Sequence, residues 1–134
     1  LKIYGLLSSE GKCLIRIPVI PSFVWEKYQT YWVQIDAPRH FFIHSTKSMK
    51  LLLEKTKLKI DTIIYDSIPF QFLGSELYKR NISFKEGDFN LTKNNKHFSY
   101  NEIKYFVNKT KELNLSRNGD QAAFILSKIT PGNE

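Results

Sequence analysis

The sequence predicts an α/β fold in which three strands alternate with helices. Three observations support this class. Short runs rich in β-branched residues alternate with segments of helical periodicity, in the order helix, strand, helix, strand, helix, strand. With 42% hydrophobic and 14% aromatic residues, the composition suffices for a real core and argues against disorder. The length of 134 residues corresponds to a single domain of ordinary size.

The first helix–strand pair occupies the start of the chain. Residues 1–9 have the pattern of the end of a helix, and Gly11 follows where helices commonly stop. Lys12–Val19 is a short β-rich run in which Pro18 ends regular strand pairing. The strand that should precede this helix is missing, and the chain begins with Leu rather than Met. We therefore expect residues 1–134 to be a single partial domain, a piece of a longer protein that contains the rest of the sheet.

A long connection then runs from Ile20 to His44 and is rich in aromatic residues. Connections of this length in a compact domain are usually functional or contain a short helix. The run D-A-P-R-H at residues 36–40 gathers an acid, a guanidinium and an imidazole. Pro38 lacks a backbone donor and disfavours helical geometry before it. We therefore expect this polar chemistry on a loop just ahead of a helix, where functional sites are common.

The second helix–strand pair follows directly. Ser45 is the predicted N-cap, because its hydroxyl can accept from the free backbone N–H groups of the next turn. The helix is predicted over about Thr46–Thr56, and Leu58–Tyr65 then has the partial alternation of a strand. The residues expected on the buried face of the helix are Met49, Leu52, Leu53 and Thr56.

A second long excursion, Asp66–Phe98, separates the last helix–strand pair from the rest. Its first part, Pro69–Tyr78, mixes apolar and polar residues, and its later part is rich in Gly, Asn and Lys. Ser99–Glu102 is a capping box, in which the Ser and Glu side chains satisfy each other's backbone N–H groups. It opens a helix that ends at Asn118–Gly119, before a final strand at Gln121–Ser127. The predicted buried face of this helix comprises Ile103, Phe106, Val107 and Thr110.

The charge and the cysteine content indicate which partners and which cellular location to expect. A net charge of +7 is compatible with a nucleic-acid or other acidic partner. The lysines are dispersed, however, and no long block of like charges occurs, so solvated helix faces are the favoured interpretation. Cys13 is the only cysteine, which excludes an internal disulfide and favours a reducing, cytoplasmic location. No apolar run is long enough to span a membrane, so no membrane partner is expected.

Four segments resemble a known family: LLSSEGKCLIRIPV, WVQIDAPRHFFIHSTKSMKLLLEKTKLKI, IIYDSIPFQFLGSELYKRNI and GDQAAFILSK. They are similar to the C-terminal half of class I S-adenosylmethionine-dependent methyltransferases, most of all to the small-molecule branch found among bacterial cell-surface sugar and polysaccharide genes. The resemblance covers Leu6–Lys128 and weakens over Lys85–Lys96. It rests on D-x-P-R-H followed by S-x-x-S-hydrophobic-x-x-L-L, and on F-Q-F-L-G-S-E-L-Y, in which Leu73 replaces a Trp common in members.

The resemblance implies a Rossmann-like, mostly parallel sheet of seven strands. Lys12–Pro18 would be strand five, Leu58–Tyr65 strand six, and Gln121–Ser127 the antiparallel strand seven inserted between them, with flanking helices and two long insertions. The family's glycine-rich loop and its other contacts to the cofactor, S-adenosylmethionine, belong to the first half, and this chain has no G-x-G. The resemblance therefore implies no cofactor-binding residue here, and no activity of these residues alone.

The activity that the resemblance implies is methyl transfer to a hydroxyl of a small-molecule or sugar acceptor. His40 is the candidate general base, because an imidazole can take up a hydroxyl proton near neutral pH. The alternative is a His that braces the loop through Asp36. Arg39 either holds an anionic acceptor or pairs with Asp36 or Asp66. His40 and His44 are four apart, but the residues between them have an extended pattern, so no metal site is expected.

Aromatic and polar residues of the two connections complete the candidate acceptor site. Trp25, Tyr28 and Trp32 either line an acceptor pocket, since flat rings stack on sugars, or form a hydrophobic lid over the sheet. Gln71 and Glu76 either hydrogen-bond acceptor hydroxyls or lie on the wet face of an amphipathic helix.

Two other expectations concern partners. The alternative to a methyltransferase half is a non-catalytic basic module that binds nucleic acid or an acidic partner. The dispersed lysines favour the enzyme over this module. A bare strand edge at Lys12–Pro18 would also be a template for another chain. We expect this edge either to mediate self-association or to be covered by Leu1–Ser9.

Overall fold

The computed structural model describes residues 2–129, and its strands lie where the sequence predicts them. β1 spans Lys12–Pro18, β2 spans Leu58–Tyr65 and β3 spans Gln121–Lys128. The helices are α1 (Lys2–Leu6), α2 (Phe23–Tyr28), α3 (Thr46–Glu54), α4 (Phe70–Lys79) and α5 (Tyr100–Leu115), with two 3-10 helices (Gln29–Tyr31 and Val33–Ile35) after α2. In this part of the chain, no helix is long and apolar enough to cross a membrane.

The three strands form one sheet in the order β1-β3-β2, and β3 runs antiparallel to both neighbours. β1 and β2 therefore run parallel to each other, with their carboxyl ends at the same edge. Phe124 of the central strand pairs with Ile15 on one side and with Ile63 on the other. The predicted α/β class is confirmed, and the last strand lies between the other two.

One face of the sheet bears the first of two hydrophobic cores. Side chains alternate between the two faces along a strand, and Ala122, Phe124 and Leu126 of β3 all lie on this face and are fully buried. Met49 and Leu53 of α3 pack against them. The helix between β1 and β2 therefore covers the sheet from this side.

α3 differs from its prediction in length and in its buried face. Ser45 is the N-cap as predicted, and its side chain accepts a backbone N–H of the first turn. The helix ends two residues earlier than predicted, and the Thr56 hydroxyl donates to the Leu53 carbonyl just beyond that end. The predicted burial of Leu52 is wrong, since its side chain is 54% exposed. The side chains of this short helix that face the sheet are Met49 and Leu53, which are four residues apart. Leu52 lies to one side of them on the helix surface.

The two long connections fold together into the second hydrophobic core. The first connection follows the carboxyl end of β1 and the second follows that of β2, so both begin at the same edge of the sheet. The buried side chains of this core include Trp32 of the first connection, Phe72 and Leu77 of the second, and Ile103 and Phe106 of α5. The rings of Phe72 and Phe106 stack with centroids 5.3 Å apart. The connections therefore form an ordered layer beyond the ends of the parallel strands.

α5 begins at the predicted capping box. Ser99 Oγ accepts from the Glu102 backbone N–H at 3.3 Å, and Glu102 Oε2 accepts from the Ser99 backbone N–H at 2.7 Å. The predicted inner face is confirmed, with Ile103, Phe106 and Thr110 buried and Val107 half-buried. At the other end, the Asn118 N–H donates to the Leu113 carbonyl at 2.8 Å and closes the helix.

The second face of the sheet lies open in the described part of the chain. Leu14 of β1 and Ile64 of β2 are 58% and 46% exposed. Two ion pairs cross this face over β3, Lys12–Asp61 at 2.6 Å and Arg16–Asp66 at 2.7 Å. Apolar side chains between charged pairs are typical of a partly wet surface, so this face does not form a third core.

The outer edge of β1 is also open within residues 2–129. On its inner side, β1 pairs with β3. An isolated parallel bridge also joins Val19, just beyond the end of β1, to His44. Tyr4 and Leu7 pack against the core on one face of the sheet. The segment that contains α1 therefore covers that face and adds no strand to the edge of β1. Leu1, the first residue of the predicted cover, lies outside the described residues. Self-association through this edge stays a prediction.

Candidate functional site

A pocket of about 280 Å³ lies between the two long connections. Its lining residues are Val33, Gln34, Asp36 and Arg39 of the first connection and Phe70, Tyr78 and Phe84 of the second. Ligands of open α/β sheets bind outside the carboxyl ends of the parallel strands, which is where both connections begin. The structure brings two of the predicted site residues, Asp36 and Arg39, into one pocket.

A tight turn positions the polar end of the pocket. The Arg39 N–H donates to the Asp36 carbonyl at 2.8 Å, and the Ala37–Pro38 peptide between them is cis. Asp36 has a left-handed backbone with φ 37° and ψ 49°, which Asp tolerates better than most residues. Arg39 Nη1 lies 3.0 Å from Asp36 Oδ2. Of the two acids predicted as partners of Arg39, the structure shows Asp36, while Asp66 pairs with Arg16.

The Asp36–Arg39 ion pair is open to water. The Arg39 side chain is 78% exposed and that of Asp36 is 38% exposed. An exposed pair of this kind contributes little to stability. The planar guanidinium can therefore exchange its carboxylate partner for an anionic or hydroxylated ligand at small cost.

His40 braces the loop that forms this end of the pocket. Its Nδ1 lies 2.9 Å from the backbone carbonyl of Gln34. Because a carbonyl oxygen only accepts, Nδ1 must bear the hydrogen, and the neutral ring then presents Nε2 as a proton acceptor. The predicted brace is present, but its partner is the Gln34 carbonyl and not Asp36. A fixed tautomer in which Nε2 is the proton-accepting nitrogen is also what a general base requires, but His40 is not among the residues that line the pocket.

An aromatic cluster forms the apolar wall of the pocket. The ring centroids of Phe70 and Phe84 lie 5.7 Å apart, and Phe89 lies 5.1 Å from Phe70 and 4.8 Å from Phe84. Sequence reasoning missed these residues, because Phe84 and Phe89 belong to the polar part of the second connection. Their signal was the presence of two large aromatic residues in a segment otherwise rich in Gly, Asn and Lys.

The predicted aromatic residues of the first connection are core residues and do not line the pocket. Trp32 is buried, and its Nε1 donates to Asp120 Oδ2 at 2.8 Å. Tyr28 is buried and donates its hydroxyl to Glu76 Oε1 at 2.8 Å. Trp25 packs edge-on against Trp32 at 5.9 Å. None of the three lines this pocket, and their packing agrees with the alternative of a hydrophobic layer, since a buried Tyr or Trp usually finds one hydrogen-bond partner for its polar tip.

Gln71 and Glu76 of α4 are also absent from the pocket lining. Gln71 is buried and donates through Nε2 to Thr110 Oγ1 at 3.1 Å, while its Oε1 has no hydrogen-bond partner in the described part of the chain. The Glu76 carboxylate lies 4.0 Å from both Lys27 and Arg80. Because α4 is central in the second core, both side chains bind neighbouring helices. Neither side chain lines this pocket, and Gln71, which is 1% exposed, does not lie on a wet helix face either.

Asp120, which sequence reasoning did not single out, lies directly before β3 and contacts residues that follow β1 and β2. Its backbone carbonyl accepts from the Val19 N–H at 2.9 Å, just beyond β1. Burial raises the pKa of the Asp120 carboxyl above its ordinary value, and hydrogen bonds from Trp32 and Ser67 oppose that rise. Its signal was an acid placed directly before an apolar strand.

The two histidines of the predicted loop have separate partners. His44 Nδ1 lies 3.2 Å from Ser48 Oγ, whereas His40 contacts the Gln34 carbonyl. Among residues 2–129, no group of three His, Cys, Asp or Glu side chains is arranged to hold a metal ion.

No protein-family model, no curated protein and no solved structure matches this chain. Its function is therefore inferred from the strand order, the pocket and the residue patterns.

Proposed function

We propose that this chain is the acceptor-side half of an S-adenosylmethionine-dependent methyltransferase, which transfers a methyl group to a hydroxyl of a small molecule or sugar. The observation that best supports the proposal is the strand order, with β3 antiparallel between the parallel strands β1 and β2. This order agrees with the last three strands of the Rossmann-like family that the motifs resemble. The pocket beyond the carboxyl ends of β1 and β2 is where such a sheet binds ligands.

Open surfaces around β1 support a sheet that continues on that side. Within residues 2–129, the outer edge of β1 pairs with no further strand. Leu14 on one face of the sheet, and Ile3 and Leu6 of α1 on the other, are exposed. A neighbouring parallel strand with helices on both faces would cover all of these surfaces. In our proposal, the first half of the methyltransferase provides that strand and those helices.

The residues of this chain do not fit S-adenosylmethionine by themselves. The sequence has no G-x-G loop to approach the cofactor closely. The pocket of about 280 Å³ is slightly smaller than most ligand pockets, which span about 300–1,000 Å³. We therefore assign to this chain the acceptor alone.

The pocket offers a hydroxylated acceptor two kinds of contact. The Phe70 and Phe84 rings line the pocket and can pack against the apolar face of a sugar, while the Asp36 carboxylate can accept hydrogen bonds from hydroxyl groups and the Arg39 guanidinium can donate to them. His40 is adjacent to Arg39 in sequence but is not among the residues that line the pocket; in our proposal its Nε2 removes the proton from a hydroxyl that extends beyond the pocket. Positioning of the acceptor and removal of its proton are the contributions that these residues make.

Saturation-transfer NMR of the chain with a panel of monosaccharides tests the acceptor site. Phe84→Ala removes an apolar contact, and Arg39→Ala removes the guanidinium, so each should weaken binding about tenfold or more. Leu115→Ala is the matched control, because Leu115 is exposed at the end of α5 and lies outside the pocket. Saturation transfer that persists in both pocket variants would place the acceptor elsewhere.

The methyltransferase class is tested separately with S-adenosylhomocysteine. Residues 1–134 alone should show no change in Tm, whereas a protein that also contains the proposed first half should be stabilised by about 2.7 kcal/mol at a ligand concentration of about 100 Kd. No stabilisation of that longer protein would exclude the class. Sugar binding by the chain would in that case indicate a binding module that has no methyl-transfer activity.

A second candidate function is a non-catalytic module that binds nucleic acid or another acidic partner. One observation favours it: residues 39–59 contain six Lys or Arg side chains and a single acid, Glu54. Nucleic-acid binding of this kind should weaken steeply with salt. Fluorescence anisotropy with single-stranded RNA at two salt concentrations distinguishes it, since the acceptor pocket predicts no such binding.

A further inference from the structure

Two adjacent phenylalanines project from the loop that follows the pocket turn. Phe41 and Phe42 are 83% and 82% exposed, which makes them the most exposed large aromatic residues in the described part of the chain. Neither belongs to one of the hydrophobic cores, and neither forms an aromatic pair there. Isolated exposed apolar residues are common, but two large ones side by side on a loop indicate a contact surface.

α3, which begins four residues after Phe42, exposes two further apolar side chains. Leu51 and Leu52 are 51% and 54% exposed on the flank of the helix that faces away from the sheet core. Together with His44, Ser48 and Lys55, they line a shallow depression of about 220 Å³. The loop and the helix therefore expose four large apolar side chains within a short stretch of chain.

Positive charge surrounds these apolar residues. Lys47, Lys50 and Lys55 of α3 and its C-cap are exposed, and none of them has an ion-pair partner among residues 2–129. The only acid between residues 39 and 59 is Glu54. The partner of this surface should therefore be both anionic and able to take up apolar side chains.

We propose that this surface docks on an anionic lipid bilayer. Phe41 and Phe42 would enter the boundary between headgroups and acyl chains, and the exposed leucines of α3 would follow them at the same depth. The lysines of α3 would lie among the lipid phosphates, where each basic side chain adds to membrane attraction. The contact is peripheral, since it uses one loop and one flank of a short helix.

The same features argue against two other occupants. A symmetric contact with a second copy would bring this basic surface against itself, and the lysines would repel. Single-stranded nucleic acid is bound by stacking bases on aromatic rings, a contact to which Leu51 and Leu52 contribute nothing. Of these three occupants, only a bilayer uses the aromatic, aliphatic and basic groups together.

Docking would also orient the pocket. Arg39 lines the pocket and lies two residues before Phe41, so the polar end of the pocket would lie close to the lipid headgroups. An acceptor attached to a lipid could then reach the pocket without leaving the membrane surface.

Vesicle flotation of the full chain tests the proposal. Vesicles of phosphatidylcholine alone are compared with vesicles that contain about one-third phosphatidylglycerol. We expect binding to the anionic vesicles only. Phe41→Ser combined with Phe42→Ser should weaken it more than about tenfold, and Lys47→Glu combined with Lys50→Glu should weaken it about thirtyfold or more.

Matched controls change the same number of exposed residues elsewhere. Leu91→Ser with Leu115→Ser removes two exposed apolar side chains, and Lys104→Glu with Lys111→Glu reverses two exposed lysines of α5. Both should bind anionic vesicles as the wild type does. Because all the substituted side chains are exposed, far-UV circular dichroism should show the wild-type fold in every variant.

Several outcomes would overturn the proposal. These are the absence of binding to anionic vesicles, equal binding by the wild type and the Phe41→Ser/Phe42→Ser variant, and equal losses in the controls. Self-association that disappears in the same variant, measured by sedimentation, would assign the surface to a second copy. Binding to single-stranded DNA without binding to vesicles would assign it to nucleic acid.

Discussion

The indole Nε1 of Trp32 donates a hydrogen bond to Asp120 Oδ2 at 2.8 Å, and each residue is only 1% exposed. The two residues are 88 positions apart in the chain. Their contact attaches the first long connection to the start of β3, at the edge of the sheet from which both connections leave. Because burial raises the pKa of Asp120, the contribution of this attachment to stability depends on pH.

Asp120→Asn should raise stability at neutral pH. Since the folded-state pKa lies above the ordinary value of 3.8, the contribution of the Asp120 carboxyl is fully present below that value and is lost as pH rises through the folded-state pKa. The Asn side chain remains neutral and can still accept from Trp32. We expect the variant to melt about 2–4 °C above the wild type at about pH 7, with a smaller difference near about pH 4. A difference in Tm that is the same at both pH values would contradict this account.

Asp61→Asn is the control with the opposite sign. The hydrogen bond from Lys12, followed by that from Ser127, lowers the pKa of Asp61 below its ordinary value of 3.8. Its contribution is therefore present above that value and is lost as pH falls through the folded-state pKa. We expect Asp61→Asn to be less stable than the wild type near neutral pH and to approach it in acid, as measured by thermal melts in the same buffers.

Gly74→Ala should destabilise the contact between α4 and the first connection. A Cβ at this position would lie 2.6 Å from Val33 Cγ2 and 2.9 Å from Val33 Cβ. We expect a loss of about 1–3 kcal/mol in the free energy of unfolding, measured by urea denaturation. Combining it with Val33→Ala should cost less than the sum of the two single changes, because the smaller side chain makes room.

Gly5→Ala is the matched control for that prediction. A Cβ at Gly5, in α1, would meet no atom within 4 Å, and Ala favours a helix over Gly by about 1 kcal/mol. Stability should be unchanged or slightly higher. If Gly74→Ala behaved in the same way as Gly5→Ala, the close approach of α4 to Val33 would be wrong.

Ser99→Ala should weaken the start of α5. The Ser99 hydroxyl accepts the Glu102 backbone N–H and donates to Glu102 Oε2 at 2.7 Å, and loss of such a cap costs about 0.5–2 kcal/mol. Hydrogen bonds from the Ser99 side chain and backbone lower the pKa of Glu102 below its ordinary value of 4.5. The cost of the substitution should therefore be full above that pH and should shrink in more acidic solution. A urea titration of both proteins at about pH 7 and about pH 3 measures it.

His40→Gln separates the two roles of His40. The Gln amide can still donate to the Gln34 carbonyl, so Tm should change by less than about 2 °C. Gln has no group that takes up a proton near neutral pH, so methyl transfer by a protein that includes the proposed first half should slow about 100- to 10,000-fold. His40→Ala should lose both the brace and the base. An unchanged rate in His40→Gln would leave His40 as a brace alone.

The three strands and the two helix caps show what local patterns can predict. β1 and β2 have the predicted bounds, and β3 extends one residue beyond its predicted end. Ser45 and Ser99 cap their helices as expected. These features depend on hydrogen bonds between residues a few positions apart and on the alternation of apolar side chains. The wrong prediction for Leu52 shows the limit of such patterns, because helical periodicity does not decide which of the adjacent residues Leu52 and Leu53 packs against the sheet.

The candidate site shows what such patterns cannot predict. Asp36 and Arg39 were identified because a proline loop gathered them, and the structure places them in one pocket. Tyr28 and Trp32 have the same residue types as pocket rings but are buried, whereas Phe84 lines the pocket from a segment without periodicity. Residue type does not distinguish an aromatic core residue from an aromatic pocket residue.

By itself, the sequence determined the alternation of strands and helices, the caps of two helices and the polar turn at residues 36–40, because each arises from groups close together in the chain. Only the tertiary structure decided which side chains meet across the two connections. The contact between Trp32 and Asp120 and the aromatic wall of the pocket join distant segments, and whether a ring is buried or exposed there is set by the packing of neighbouring helices.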